Sequence, residues 1–189
     1  MIRTGQTIEN PVTGERVVFR ATAADTKGEL VVIDVYVEPD GFVAATHVHP
    51  SQEEHFEVLS GTLEMKLGRE TVVARPGDRV VVPAGTPHRF RNAGDERAHF
   101  VCEVRPALEF ESLLETMFGL AADGKTNHKG MPNPLRLAVI AKAHFDTVQL
   151  PFPPAWMQRL GLAMGAALGR LLGYRPTYEG SETPAAFGV

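Results

Sequence analysis

The stretch THVHPSQEEHFEVLSG, residues 46–61, sets three histidines and three glutamates in one short span. Strand periodicity sorts them, because residues two apart on a strand project from the same face. In VAATHVH (43–49) that phase puts Val43, Ala45, His47 and His49 on one side. Pro50, Ser51 and Gln52 make a turn, and EEHFEVL (53–59) begins a second alternation. Glu54, Phe56 and Val58 share one face of it, and His55 and Glu57 share the other. Phe56 and Val58 are the apolar set, so their face should be interior. That carries Glu54 inward, sends His55 and Glu57 to water and leaves Glu53 at the turn or strand edge. A carboxylate buried beside two imidazoles is costly unless something pairs with it, and a divalent cation is the natural partner. Taken alone, HVH reads more readily as two exposed strand histidines.

A second stretch, GDRVVVPAGTPHRFRN (77–92), bears on that choice. His88, Phe90 and Asn92 share a face, and Arg89 and Arg91 the opposite one. Phe90 marks the inner side, so His88 points inward. The rigid turn PAGTP (83–87) sets where this strand begins.

Outward from these two stretches the pattern stays β. ERVVFRAT (15–22), ELVVIDVYVEPDG (29–41), TLEMKLG (62–68), TVVARPG (71–77), RVVVPAG (79–85) and AHFVCEVRP (98–106) read as short strands, most of them closed by Gly or Pro. No helix-length segment interrupts residues 12–105, which argues for an antiparallel sandwich or barrel and against a parallel α/β fold.

After Arg105 the period changes. ALEFESLLETMFGLAADG (107–124) spaces Phe110, Leu113, Leu114, Met117 and Phe118 as on a helix that stops at Gly124. NPLRLAVIAKAHFDTV (133–148) repeats the pattern behind Pro134, and PPAWMQRLGLAMGAALGRLLGYRP (153–176) is a third helix. The chain thus divides into a β domain, 1–105, and a helical extension, 106–189. The extension is expected to pack on the barrel or at a dimer interface. The tail EGSETPAAFGV (179–189) is expected to fray. Gly161, Gly165 and Gly169 raise a membrane reading, but Arg159 and Arg170 bracket too short a run for it. Small residues at this spacing more simply let another helix or the barrel wall come close, or form a self-association face.

The bulk numbers exclude several classes. With 189 residues, 43% hydrophobic, 22% charged and a net charge of −4, the chain is an ordinary globular protein with no basic footprint for nucleic acid. The lone cysteine, Cys102, can form no internal disulfide and reads as a buried apolar residue. The first residues contain no apolar signal segment, so a cytoplasmic location is expected. His99, His128 and His144 read as structural or solvated.

At this point a resemblance becomes specific. Gly41, His47-Val48-His49, Glu54 and Gly61 look like the first motif of the cupin superfamily; Gly77, Pro83-Ala84-Gly85, His88 and Asn92 look like the second. Every fixed position of both is filled, and the resemblance covers roughly residues 28–105. It implies a mainly β fold, a cupin jelly-roll (double-stranded β-helix) barrel with C-terminal helices added. It also implies one divalent metal, held by His47, His49, Glu54 and His88, with Fe, Mn, Ni, Cu and Zn all represented in the family. Homodimers are common in that superfamily.

The function expected is that of a small-molecule enzyme of dioxygenase-like type, acting on an apolar or aromatic substrate with metal-chelating oxygens. A non-catalytic binding or storage cupin and a metal-dependent isomerase are the alternatives. The expected pocket wall is Val43, Phe56, Val58, Met65 and Phe90. No general base stands out. The metal-bound water is one candidate, and Glu103 is a weak second. No nucleic-acid or membrane partner is expected.

Overall fold

A computed structural model describes residues 2–180. The expected fraying of the tail falls mainly on 181–189 and lies outside the described residues. Nine strands precede three helices: β1 (Thr7–Asn10), β2 (Glu15–Ala21), β3 (Val31–Val37), β4 (Glu53–Ser60), β5 (Leu63–Leu67), β6 (Glu70–Ala74), β7 (Arg79–Val82), β8 (His88–Asn92), β9 (Ala98–Arg105), α1 (Phe110–Ala122), α2 (Pro134–Ala143) and α3 (Ala155–Leu171). One sheet has the order β1-β2-β3-β9-β4-β7 and the other β6-β5-β8, and every pairing is antiparallel.

Alternation decides which side of the large sheet is core. Its inward residues line up in rows set by the register. Val17, Val35, Phe100 and Val58 form one row, and Ile33, Cys102 and Phe56 the next. Val31, Val104 and Glu54 end the sheet on one side; Glu15, Val37 and Ala98 end it on the other. The small sheet faces this surface with Leu63, Met65 and Phe90. The Phe90 ring lies 5.3 Å from that of Phe100 and 6.3 Å from that of Phe56. Phe19, Phe100, Leu63 and Met65 are fully buried, each contributing about 1.5–3 kcal/mol relative to exposure.

Two expectations are corrected. VAATHVH is not a regular strand. The chain bends at Ala44 and Ala45 and touches its neighbours only through isolated bridges, Phe42 with Arg91, His47 with His88 and Val48 with Gln149. Val43, Ala45, His47 and His49 all reach the same cavity, but not as one strand, because the segment changes hydrogen-bonding partner from β8 to Gln149. β1 was not expected: TIEN is short and polar, and its pairing with β2, not its own pattern, makes it a strand.

The turn after β4 needs glycine. Gly61 has φ +77°, and a Cβ there would lie 2.6 Å from the Ala98 Cα. Gly61→Ala is therefore expected to cost upward of about 3 kcal/mol, combining left-handed strain with a backbone clash. Gly68→Ala, at φ +57° with nothing within 4 Å, should cost only about 1–2 kcal/mol. Urea midpoints of the two variants check the ordering.

The helices form where the 3.6-residue period placed them. In α1, Phe110 and Phe118 are buried, and Leu114 and Met117 pack against the barrel core. Asn133 caps α2 by accepting from the Arg136 N–H, with Pro134 in the first turn. α2 and α3 run antiparallel: a Cβ on Gly165 would meet the Ala138 Cβ at 2.9 Å, and one on Gly169 the Leu135 carbonyl at 2.6 Å. Two of the three spaced glycines thus serve helix contact, while Gly161 has open space. Among the described residues no helix is long and apolar enough to cross a membrane.

Candidate metal centre

His47 sits at its bridge to His88, His49 follows two residues on, Glu54 is the second residue of β4, and His88 opens β8. One ligand atom from each of the four lies within 4.8 Å of every other. His49, Glu54 and His88 are buried and His47 is partly so. The His49 Nε2 is 3.6 Å from Glu54 Oε1, and the His88 Nε2 is 2.7 Å from Glu54 Oε2.

The outer nitrogens explain why these rings aim as they do. Nδ1 of His47 lies 2.9 Å from the Ala45 carbonyl, that of His49 2.6 Å from the Thr147 carbonyl, and that of His88 2.9 Å from the Thr86 carbonyl. A carbonyl only accepts, so each Nδ1 carries the proton and each Nε2 presents a lone pair to the cluster. Inside, His49 Nε2, His88 Nε2 and Glu54 Oε2 are buried without a well-directed hydrogen-bond partner. The short His88–Glu54 approach is thus one of two ligand atoms converging. Atoms each about 2.1 Å from one ion, at right angles, lie roughly 3 Å apart. Orphaned donors of this kind and a shared focus fit a divalent cation, and three imidazoles with one carboxylate suit several first-row metals.

The four groups are electrostatically coupled. Burial, followed by the neighbouring imidazoles of His88 and His49, pulls His47 down to about 3, which keeps it neutral. Burial pushes Glu54 up, but His49, His88 and His47 outweigh it and hold the carboxyl at about 2. Burial lowers His88, and the adjacent Glu54 carboxylate more than offsets this, for a net rise.

The cluster opens into a cavity of about 300 Å³. Of the residues named from the sequence, Val43, Phe56 and Phe90 line it. Val58 and Met65 do not. Both point inward but are buried in the packed core beneath, since facing the interior is not the same as bordering the space left in it. Phe100, Phe110 and Leu114 line it instead, so the helical extension supplies part of the wall.

Glu103 faces away from the cluster. Its neighbours Cys102 and Val104 face inward, and Glu103 pairs with Arg105 on the outer face. Cys102 borders the cavity, but burial first, and the Glu54 charge next, push its thiol well above the usual range, so it stays a neutral apolar surface. His55 faces outward, 2.6 Å from Glu53, and His128 is exposed in a loop. His99 stacks on Tyr36 and lies 2.6 Å from Asp34, while the buried His144 lies against the end of α2, 2.9 Å from the Ile140 carbonyl.

Three contributors escaped the sequence reading. Thr147 orients His49 from far along the chain. Gln52, which looked like a turn residue, donates to the Pro106 and Ala107 carbonyls and ties the start of β4 to the entry of α1. Glu15, the polar first residue of a strand, is buried on the cavity wall; burial lifts its carboxyl to about 7 against the opposing hydrogen bond from Thr13.

A family model described as a cupin domain matches residues 27–104. Polyketide synthase CurC of Streptomyces cyaneus is 40% identical over 67 residues, 35% of this chain and 44% of that protein. Probable oxidoreductase virH of Hypocrea virens is 28% identical over 146 residues, 70% of this chain and 65% of that protein. Quercetin 2,3-dioxygenase of Bacillus subtilis is 34% identical over 84 residues, 41% of this chain and 25% of that protein. The chain therefore spans only part of the length of each.

Proposed function

The β domain belongs to the cupin superfamily, and from that premise we propose a divalent-metal-dependent enzyme of dioxygenase-like type. Its substrate would be an apolar or aromatic compound whose oxygens chelate the metal. The observation that carries this reading is the opening of a four-ligand cluster onto an apolar cavity. The names of two relatives, a dioxygenase and a probable oxidoreductase, favour the same class. A metal held by His47, His49, Glu54 and His88 would supply Lewis acidity and, if redox-active, electron exchange with dioxygen. The chain's own part is positional. Three carbonyls fix the imidazole tautomers, Glu54 supplies the negative charge, and Phe56, Phe90, Phe100 and Phe110 exclude water and hold a flat apolar body. No Lys or Arg is among the lining residues, so the cavity offers nothing to a phosphate, which disfavours a sugar-phosphate isomerase.

The test is oxygen consumption by protein reconstituted separately with Fe, Mn, Ni, Cu and Zn, offered aromatic compounds with adjacent hydroxyl and keto oxygens. Uptake with at least one redox-active metal is expected. Ligand binding without uptake under every metal would favour the storage reading.

α3 bears on the partner. Phe152, Trp156, Leu160, Met164, Leu168 and Leu171 are 55–84% exposed on or beside it. Their exposed surface is on the order of 800 Å², above the roughly 300–600 Å² of the largest patch on a typical monomer. It also equals the ~800 Å² that each partner gives to a standard interface. We propose that a second copy of the chain covers this face.

A further inference from the structure

The cavity has a second polar end. Along its wall the large sheet contributes Glu54, Phe56, Cys102, Phe100, Ile33, Val35, Val17 and finally Glu15. By register this is an oblique path: Glu54 is in the row of Val104 and Val31, and Glu15 in the row of Val37 and Ala98. Three strand spacings separate β4 from β2, about 14 Å across the strands, and the two rows stand six residues apart on β3, about 20 Å along it, before the inward reach of the two side chains is taken off. Everything between the two carboxylates is apolar.

Glu15 is 8% exposed and accepts one hydrogen bond, 2.7 Å from the Thr13 hydroxyl. Among the described residues no cation pairs with it. Asn10 lines the same end; its Oδ1 accepts from the Val12 and Thr13 N–H groups, which leaves its amide NH₂ as the group to offer a ligand. Gly130 and Met131 also line this end, with Gly130 against Thr13 and Ala44. A buried carboxyl so poorly partnered is costly to the fold unless a ligand group meets it.

We propose that Glu15 and Asn10 form a distal recognition point that accepts a hydroxyl donor at the far end of an elongated aromatic ligand whose near end chelates the metal. This deepens the proposed function and rests on its reading that the ligand reaches the metal cluster. The class of ligand follows: a flat, mostly apolar compound with a chelating oxygen pair at one end and a phenolic hydroxyl at the other. Discrimination at such a point is strong, because a ligand lacking the hydroxyl leaves a buried acceptor unsatisfied.

Two probes test it: 3-hydroxyflavone, and the same compound with one further hydroxyl at the tip of its pendant ring. Both are titrated by fluorescence into zinc-loaded full-length protein, where no turnover intrudes. The hydroxylated probe should bind roughly tenfold tighter to the unmodified protein. In Glu15→Gln, which keeps volume but replaces one acceptor oxygen with an NH₂ donor, that preference should fall to about twofold or less. Affinity for 3-hydroxyflavone and zinc content should not change. Asn10→Ala provides a second variant, with a partial loss of preference expected. Equal affinity of the two probes for the unmodified protein would overturn the proposal, as would an undiminished preference in Glu15→Gln. Failure of both probes to bind the zinc-loaded protein would overturn it too, but there the reading of the cavity as a chelating aromatic site falls first.

Discussion

Replacing His88 with alanine is expected to strip the protein of its metal. Purified without supplementation, His88→Ala should carry less than a tenth of the metal in the unmodified chain, and Glu54→Gln should behave alike. Loss of an orienting partner outside a metal site commonly costs 10–100-fold in affinity, and loss of a ligand should cost more. Glu54 is the more informative of the two, because it is the sole anion in the four-residue cluster. Without it, three neutral imidazoles would hold a dication in a buried site with no compensating charge. His55→Ala, on the outer face beside Glu53, should keep full occupancy. Metal analysis by mass spectrometry reads the result. A melting curve with and without chelator adds a second readout, since an ion that binds only the folded chain raises its melting temperature. The chelator should lower that temperature in the unmodified protein and leave both variants where they are. Full metal content in both variants would remove these residues from the ligand set.

The second large effect is expected on assembly. In light scattering the unmodified chain should run at twice its 20.6 kDa mass. Leu160→Glu combined with Leu168→Glu should run as a single chain. The two leucines are eight residues apart on α3, on its exposed stripe, and both are more than half exposed. Placing carboxylates at the centre of a two-fold contact opposes like charge to like charge and desolvates it, which is expected to weaken association by well over 100-fold. Their exposure makes the substitutions tolerable in the isolated fold. A monomeric unmodified protein, or a variant that still pairs, would show that α3 is not the contact between copies.

The facing of a side chain is legible in the sequence where it follows from a local period. Phe56 and Phe90 named the inner face of β4 and β8, and Glu54 and His88 followed from them with no knowledge of the neighbouring strands. HVH needed less: two residues apart in an extended segment suffice, even one that bends at Ala44 and Ala45. Facing is not legible where it depends on long-range pairing. Glu103 sits in AHFVCEVR, where nearly every residue is apolar or ambiguous, so only its partners on β3 and β4 decide which side is core. Val58 and Met65 face inward, as their alternation says, without bordering the cavity, because it runs obliquely across several strands and no single strand records its path. Glu15 stayed hidden for the same reason, a charged first residue of a strand being an ordinary sight until the loop around Gly130 is seen over it.

The Thr147 carbonyl that orients His49, together with the bridge between Val48 and Gln149, has a consequence in time. As the chain leaves the ribosome, all four ligands and every strand have been made by Arg105. His49 still lacks the group that turns its ring until some forty residues more have followed. The site is therefore assembled last, by a segment distant in sequence from the motifs that announce it. A chain stalled between the two would hold all four ligands while His49 still lacked the carbonyl that turns its ring.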